Sequence, residues 1–288
     1  MTAMTGKTVL VTGANSGIGK VTATALAKLG ARVLMGVRSK EKGEAALRDV
    51  KQQSGSNNVE LVFGDVSSLA SVRAMAADVL KRAPKLDVLV NNAGAILGDR
   101  RTSVDGYEMT FATNHLGPFL LTSLLLDRLR ESAPARIINV ASMAHMAAVR
   151  GMRFDDLQAE HGYSSFGTYG RSKLANILFT RELSKRLAGS GVTANALHPG
   201  LVATKFAGEG DAPGLFGWFY ATMPSIMLTP ERGATASIYL ASSDTVADVS
   251  GKYFVGRRPA WCAPQARSDA EAAQLWEVSE RLIAERSV

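Results

Sequence analysis

Short apolar runs rich in Val and Ile alternate along the chain with longer stretches in which apolar residues recur at helical spacing. That alternation is the pattern of repeated strand and helix units. The runs predict strands at Thr8–Val11, Arg32–Val37, Val59–Phe63, Val88–Asn91, Arg136–Val140, Val192–Leu197 and Tyr253–Val255. Several lack a polar face, as strands do when a parallel sheet is covered on both sides. The amphipathic stretches predict helices at Gly17–Leu29, Lys40–Gln53, Leu69–Arg82, Gly106–Arg130, Gly167–Ala188 and Pro230–Ala241. A last helix has an explicit start signal after Pro264, the S-x-x-E capping box Ser268-Asp269-Ala270-Glu271. No repeat, low-complexity tract or linker divides the 288 residues. The expected architecture is therefore α/β, a Rossmann-type doubly wound, mostly parallel sheet of seven strands, in a single domain over residues 1–288. Ligands of such sheets lie beyond the carboxyl ends of the strands, so the residues just after each strand are the ones to inspect.

Two uncharged stretches reach the length at which a membrane span is considered. Met109 to Leu126 carries Asn114, His115 and Pro118, which suits a helix buried in protein. Ala212 to Pro230 is broken by Pro213, Gly214, Gly217 and Pro224 and reads as an apolar loop. No transmembrane segment and no signal peptide is expected, since the first apolar run ends at Thr12-Gly13. With 46% hydrophobic and 20% charged residues the chain has the composition of a globular protein, and its single cysteine, Cys262, excludes a disulfide framework. A net charge of +7 raises the question of nucleic acid, but Lys and Arg alternate with Asp and Glu along the helices, as at Arg181-Glu182, so no nucleic-acid partner is expected.

The first strand runs into Thr12-Gly13-Ala14-Asn15-Ser16-Gly17-Ile18-Gly19 and then a helix. Backbone amides at such a helix start face a pyrophosphate, and the glycines allow its close approach. Gly13, Asn15, Ser16, Gly17, Ile18 and Gly19 are thus candidate dinucleotide contacts. An NAD-selective protein usually has an acid at the end of the second strand. Here Met35-Gly36-Val37-Arg38-Ser39-Lys40 has none, and Arg38, with Lys40 or Lys42 as further candidates, can pair with a 2′-phosphate, which points to NADP(H). Asp65-Val66 follows the third strand and Asn92-Ala93-Gly94 the fourth, at the edge where adenine and its ribose would lie. Alone, each is a turn signal.

Tyr169 and Lys173 are four residues apart and share a helix face. An ammonium beside a phenol stabilises phenolate and lowers a pKa that starts near about 10, so such a tyrosine can exchange a proton near neutrality. Ser142, at the end of the fifth strand, can hold a substrate oxygen beside that hydroxyl.

With T-G-x-x-x-G-x-G at 12–19, N-N-A-G at 91–94, Y-x-x-x-K at 169–173 and Pro199-Gly200, the chain resembles the short-chain dehydrogenases/reductases from Thr8 to Tyr253. Asn114-His115-Leu116-Gly117, Ser172-Lys173-Leu174-Ala175-Asn176, Leu197-His198-Pro199-Gly200 and Ser250-Gly251-Lys252-Tyr253 further resemble the retinol dehydrogenase and WW-domain oxidoreductase branch. The resemblance implies a catalytic tetrad of Asn114, Ser142, Tyr169 and Lys173, with Asn114 kinking its helix and Lys173 also binding the nicotinamide ribose. It also implies nicotinamide contacts from Pro199, Gly200, Val202 and Thr204. The anchoring segment of the membrane-bound retinol dehydrogenases is absent at the N-terminus, so a soluble, cytoplasmic protein is expected.

The expected function is hydride transfer between NADP(H) and a hydrophobic aldehyde, ketone or alcohol, with Tyr169 as general acid/base. The alternative is a non-catalytic NADP(H)-sensing or regulatory protein, against which the intact tetrad argues. Two apolar stretches bear on substrate: Met143, His145, Met146, Met152 and Phe154 between Ser142 and Tyr169, and Phe206, Leu215, Phe216, Trp218, Phe219, Tyr220, Met223, Ile226 and Met227 in a segment at about 204–229. Together they suggest a mobile apolar lid, or equally a small packed cap or subunit contact. Four scattered histidines have no metal-ligand spacing. A homo-oligomer through the helices carrying Asn114 and Tyr169 is compatible with the apolar stretch Phe119 to Leu126.

Overall fold

The computed structural model describes residues 3–202 and 228–285. Strands β1 (Thr8–Thr12), β2 (Arg32–Val37), β3 (Val59–Phe63), β4 (Val88–Asn91), β5 (Ala135–Val140), β6 (Val192–His198) and β7 (Tyr253–Val255) form where the apolar runs lie. A two-residue β8 (Arg258–Pro259) completes a sheet of order β3-β2-β1-β4-β5-β6-β7-β8. Every pairing is parallel except β7 with β8. The chain winds outward from β1 through β2 to β3, then returns to place β4 on the other side of β1. That reversal opens a crevice at the carboxyl ends of β1 and β4.

Alternation along each strand divides its side chains between two cores. Val9 and Val11 of β1 face a layer made by α1 (Gly17–Lys28), α2 (Lys40–Ser54) and α6 (Pro230–Ser242), represented by Leu26, Val50 and Leu240. Leu10 faces the opposite layer of α3 (Leu69–Arg82), α4 (Gly117–Glu131), α5 (Ser165–Arg186) and α7 (Asp269–Glu285). Burial on both faces explains why β1 and β4 lack a polar side.

Three features depart from the sequence expectation. β8 carries two exposed residues and no apolar period, so nothing marked it as an eighth strand. The long helix expected from Gly106 begins at Met109–Phe111 and passes through a π-helical turn, Ala112–Leu116, before α4. At the start of α7, Ser268 Oγ accepts from Glu271 N at 3.2 Å, but the Glu271 carboxylate accepts from Met152 N at 3.2 Å, tying the helix to the loop after β5.

α7 covers part of the face formed by α4 and α5. Trp276 lies 4.9 Å from Phe119 and 5.8 Å from Phe179, ring centre to ring centre, with the Arg186 guanidinium 4.3 Å over its own ring. Tyr107 donates to Leu282 O at 2.6 Å and fixes the far end. Phe119 is thereby fully buried within one chain and is not a free subunit surface. No described helix is long and apolar enough to cross a membrane.

Candidate active site

The turn between β1 and α1 is shaped by steric exclusion. Gly13 and Gly17 have φ of +66° and +52°, the region where a side chain is strained. A Cβ on Gly19 would lie 2.4 Å from Gly13 O and 2.5 Å from Asn92 Nδ2. Asn92 explains that crowding: its Nδ2 donates to Thr12 O at 2.8 Å, while Thr12 Oγ1 accepts from the backbone N of both Asn92 and Ala93 at 3.0 Å. The ends of β1 and β4 are thus cross-braced. Asn92 supports the glycine loop from behind, a role its position alone did not reveal. Ser16, at the start of α1, makes no side-chain cap, and the first turn of the helix holds no acidic residue. The helix end therefore keeps its amide donors and positive dipole for an anion.

Arg38 follows β2 with a largely exposed side chain, 3.6 Å from Asp65 Oδ2. Asp65 accepts from Ser67 N and Ser67 Oγ, so its carboxylate is oriented by its own loop. Val66 is held close to α4, where a Cβ on Gly117 would sit 2.0 Å from Val66 O.

The π-helical turn turns Asn114 inward. Its Oδ1 accepts from Ala95 N at 2.7 Å, and its Nδ2 donates to Ala95 O at 2.9 Å and Ser172 Oγ at 2.9 Å. Ser172 Oγ donates in turn to Tyr169 O at 2.7 Å. α5 comes close to the loop after β5 at Gly170, where a Cβ would meet Ala144 O at 2.7 Å. Tyr169 is half-buried beside that loop. The Lys173 ammonium lies 5.5 Å from its ring centre and donates to Val140 O at 3.0 Å. Asn176 Nδ2 donates to the same carbonyl at 3.2 Å. Lys173 is 3% exposed, and burial pushes its pKa down to about 8. Ser142 Oγ accepts from Ala144 N at 3.1 Å, which leaves its hydrogen for another acceptor.

One cleft of about 1120 Å³ gathers these groups. Its wall contains Gly13, Asn15, Ser16, Gly17, Ile18, Gly19, Arg38, Asp65, Val66, Asn92, Ala93, Gly94, Ser142, Tyr169, Lys173, Pro199, Gly200 and Val202. Asn114 is not in the wall; it is fully buried behind it and braces the backbone after β4. Thr204 and the aromatic segment from Phe206 to Met227 lie outside the described residues. The interval between Ser142 and Tyr169 separates into two roles. Met143 and Met146 line the cleft with partly exposed side chains, as do Phe166 and Leu201. Met152 is buried in the core and Phe154 packs against it, so neither belongs to an apolar lid. Among the described residues no His, Cys, Asp and Glu cluster could hold a metal. Cleft residues that sequence reasoning missed include Ile96 and Leu97, and His198, singled out only for a structural role, lines the cleft as well.

The short chain dehydrogenase family matches the chain over residues 7–154 and 157–212. Human retinol dehydrogenase 13 is 45% identical over 285 residues, covering 96% of this chain and 85% of that protein. Among solved structures, an uncharacterized protein from Mycobacterium paratuberculosis is 37% identical with a TM-score of 0.77, covering 97% of this chain and 94% of that one. Pseudomonas aeruginosa RhlG, solved as an NADP active-site complex, is 29% identical with a TM-score of 0.69 over 87% of this chain and 94% of its own. Agreement of that extent, in sequence and in fold, establishes that the chain belongs to the short-chain dehydrogenase family, in its retinol dehydrogenase branch.

Proposed function

We propose that the protein is an NADP(H)-dependent oxidoreductase that interconverts a hydrophobic aldehyde or ketone, a retinoid among them, with its alcohol. The observation that carries this reading is the single cleft, with the glycine turn and Arg38 at one part of its wall and Ser142, Tyr169 and Lys173 at another. The residues fit a dinucleotide. Gly13, Gly17 and Gly19 leave no side chain over the uncapped amides of α1, which suits a pyrophosphate. Arg38 and Lys42 line the same cleft, where a 2′-phosphate would find charge-assisted donors. Asp65, Val66, Ala93 and Gly94 would border the adenosine part, and Pro199, Gly200 and Val202 the nicotinamide part. RhlG, solved with NADP, supports this choice of cofactor.

When bound, the dinucleotide supplies hydride chemistry. Tyr169 gives a proton to the carbonyl oxygen as negative charge builds there, and takes it back when the alcohol is oxidised. The Lys173 ammonium favours the phenolate, and Ser142 donates a hydrogen bond to the same oxygen. Asn114 holds the Ala95 backbone and, through Ser172, the turn of α5 that carries Tyr169. Met143, Met146, Phe166 and Leu201 favour an apolar substrate, in keeping with the retinol named for the relative. Leu228 N donates to Leu201 O at 2.7 Å, and Leu201 lines the cleft. A free Cys262 fits a reducing, cytoplasmic setting.

The test is turnover of all-trans-retinaldehyde, a medium-chain aldehyde and an aromatic ketone with NADPH, with NADH run beside it and products separated chromatographically. Turnover of at least one carbonyl, lost in Tyr169→Phe, is expected. A Tyr169→Phe variant as active as the parent refutes the assignment, and binding of NADPH without turnover of any carbonyl or alcohol favours the sensor.

A further inference from the structure

Ser142 is followed by an unusual arrangement of two imidazoles. Its carbonyl oxygen contacts His145 Nδ1 at 2.7 Å and also accepts from the His145 backbone N at 3.2 Å. The N–H of Met143, which belongs to the same peptide unit, donates to His198 Nδ1 at 3.2 Å. His145 Nε2 accepts from Ala263 N at 3.1 Å. These partners assign both tautomers. His145 faces a carbonyl with Nδ1 and an amide with Nε2, so its proton is on Nδ1. His198 faces an amide with Nδ1, so its proton is on Nε2. Both rings are neutral in this arrangement. Their burial agrees, at 1% and 8% exposed, and it pushes His198 down to about 4.

We infer that His145 and His198 are positioning residues for Ser142, gripping from opposite sides the one peptide unit that joins it to Met143. This rests on the reading of Ser142 as the group that holds the substrate oxygen. A peptide unit is planar, so fixing its oxygen and its hydrogen fixes its rotation as a whole. Rotation of that plane is the motion that would swing the Ser142 side chain, because the loop after β5 has left the sheet ladder. Ala141 N, donating to Leu197 O at 2.8 Å, is the last ladder bond before it. The clamp takes over at the next peptide. It uses the last residue of β6, His198, and the segment at Ala263, so three parts of the chain converge on the serine. His145 has both nitrogens committed to the backbone, and His198 has its Nδ1 committed. The tyrosine therefore keeps the acid/base role and the histidines hold geometry.

The experiment compares His198→Asn with His198→Gln. The asparagine carbonyl oxygen falls where Nδ1 is and can accept from Met143 N; the glutamine oxygen reaches the Nε2 position and cannot. Both replacements are polar. The readouts are kcat and KM with NADPH and the carbonyl of the panel above that the parent turns over fastest, with NADPH affinity measured by fluorescence. His198→Asn should keep kcat within about threefold, while His198→Gln loses about 10- to 100-fold in kcat, the scale of a misplaced catalytic group, with NADPH affinity unchanged. Combined with Ser142→Ala, His198→Gln should cost little more, since a clamp has no value without the serine it holds. Equal kcat for the two His198 variants, or a loss that adds in full to that of Ser142→Ala, overturns the clamp. If Ser142→Ala alone turns over like the parent, the assignment of Ser142 fails and the clamp with it.

Discussion

Lys173 offers a direct test of how the site is held. It is 3% exposed, its ammonium contacts the carbonyl of Val140, and burial lowers its pKa from 10.5 to about 8. In the unfolded chain the side chain titrates like an ordinary lysine. Between pH 8 and 10.5 the unfolded state therefore binds a proton that the native state has released, and stability rises with pH across that window. The gap corresponds to about 3 kcal/mol at about 1.4 kcal/mol per decade. Below pH 8 both states are protonated, and the full penalty of a buried charge remains in the fold. Lys173→Met removes that penalty while Asn176 Nδ2 still donates to Val140 O. In the protein free of dinucleotide, the variant should thus be more stable than the parent at pH 7, by up to about 3 kcal/mol, with the difference closing by pH 10.5. Urea unfolding of both proteins at fixed pH values from 7 to 10.5 measures this, and the titration of other groups cancels in the comparison. Parallel stability curves across the window would show that the ammonium is not desolvated as its burial implies. The same variant should lose turnover, a trade of activity for stability seen where a site holds a strained group.

Gly19→Ala should abolish dinucleotide binding, although alanine is usually the better helix former, because its Cβ would lie 2.4 Å from Gly13 O; unchanged NADPH affinity by titration calorimetry contradicts this. Arg38→Asp should weaken NADPH about 10- to 100-fold through loss of a charge-assisted contact and leave NADH little affected; equal effects on the two refute the 2′-phosphate role. Trp276→Ala should cost about 3–5 kcal/mol in urea unfolding and uncover Phe119 and Phe179, so self-association should appear by light scattering. Burial lowers His115 to about 3 and His198 to about 4 from 6.5, so the unfolded state binds more protons below pH 6.5 and stability falls as pH drops toward 4. His115→Phe should shallow that fall, and identical acid profiles for variant and parent exclude the histidine as its source.

The fold was legible where one residue's neighbours in sequence are also its determinants. β2, β3, β4 and β7 begin and end where their runs do; in β2 and β4 burial confines polar residues to one end, at Arg32 and Asn91, whereas β3 carries Glu60 and an exposed Phe63. The glycine turn was legible for the same reason, since Gly13, Gly17 and Gly19 answer to steric limits within a few residues. The π-helical turn at Ala112–Leu116 was legible only through the family resemblance, which implied a kink at Asn114, as nothing in Ala-Thr-Asn-His-Leu itself departs from helical pattern. Its inward residue is instead bound to Ala95 and Ser172, 19 and 58 positions away. Met143 and Met152 are the same residue type on one loop, yet one lines the cleft and the other is core. Side-chain chemistry carries no information about which way a loop turns. The His198 clamp was hidden likewise, its partner amide lying 55 positions earlier.

What these distant contacts share explains the chemistry of the site. Asn92 bonds to Thr12 O, Asn114 to the backbone of Ala95, Lys173 and Asn176 to Val140 O, and His145 and His198 to the Ser142–Met143 peptide. Each anchor is a backbone group just past or at the end of a strand, and none is a carboxylate. A carboxylate beside Lys173 would have raised its pKa and neutralised its field. The Val140 carbonyl accepts from the ammonium while leaving its charge uncompensated, so burial lowers its pKa and its field reaches the neighbouring Tyr169 ring, as the role proposed for that tyrosine requires. The sheet edge thus fixes geometry and polarity together. A substitution that shifts the carboxyl end of β5 should therefore disturb both, moving Ser142 and altering the titration of Lys173 in the same variant.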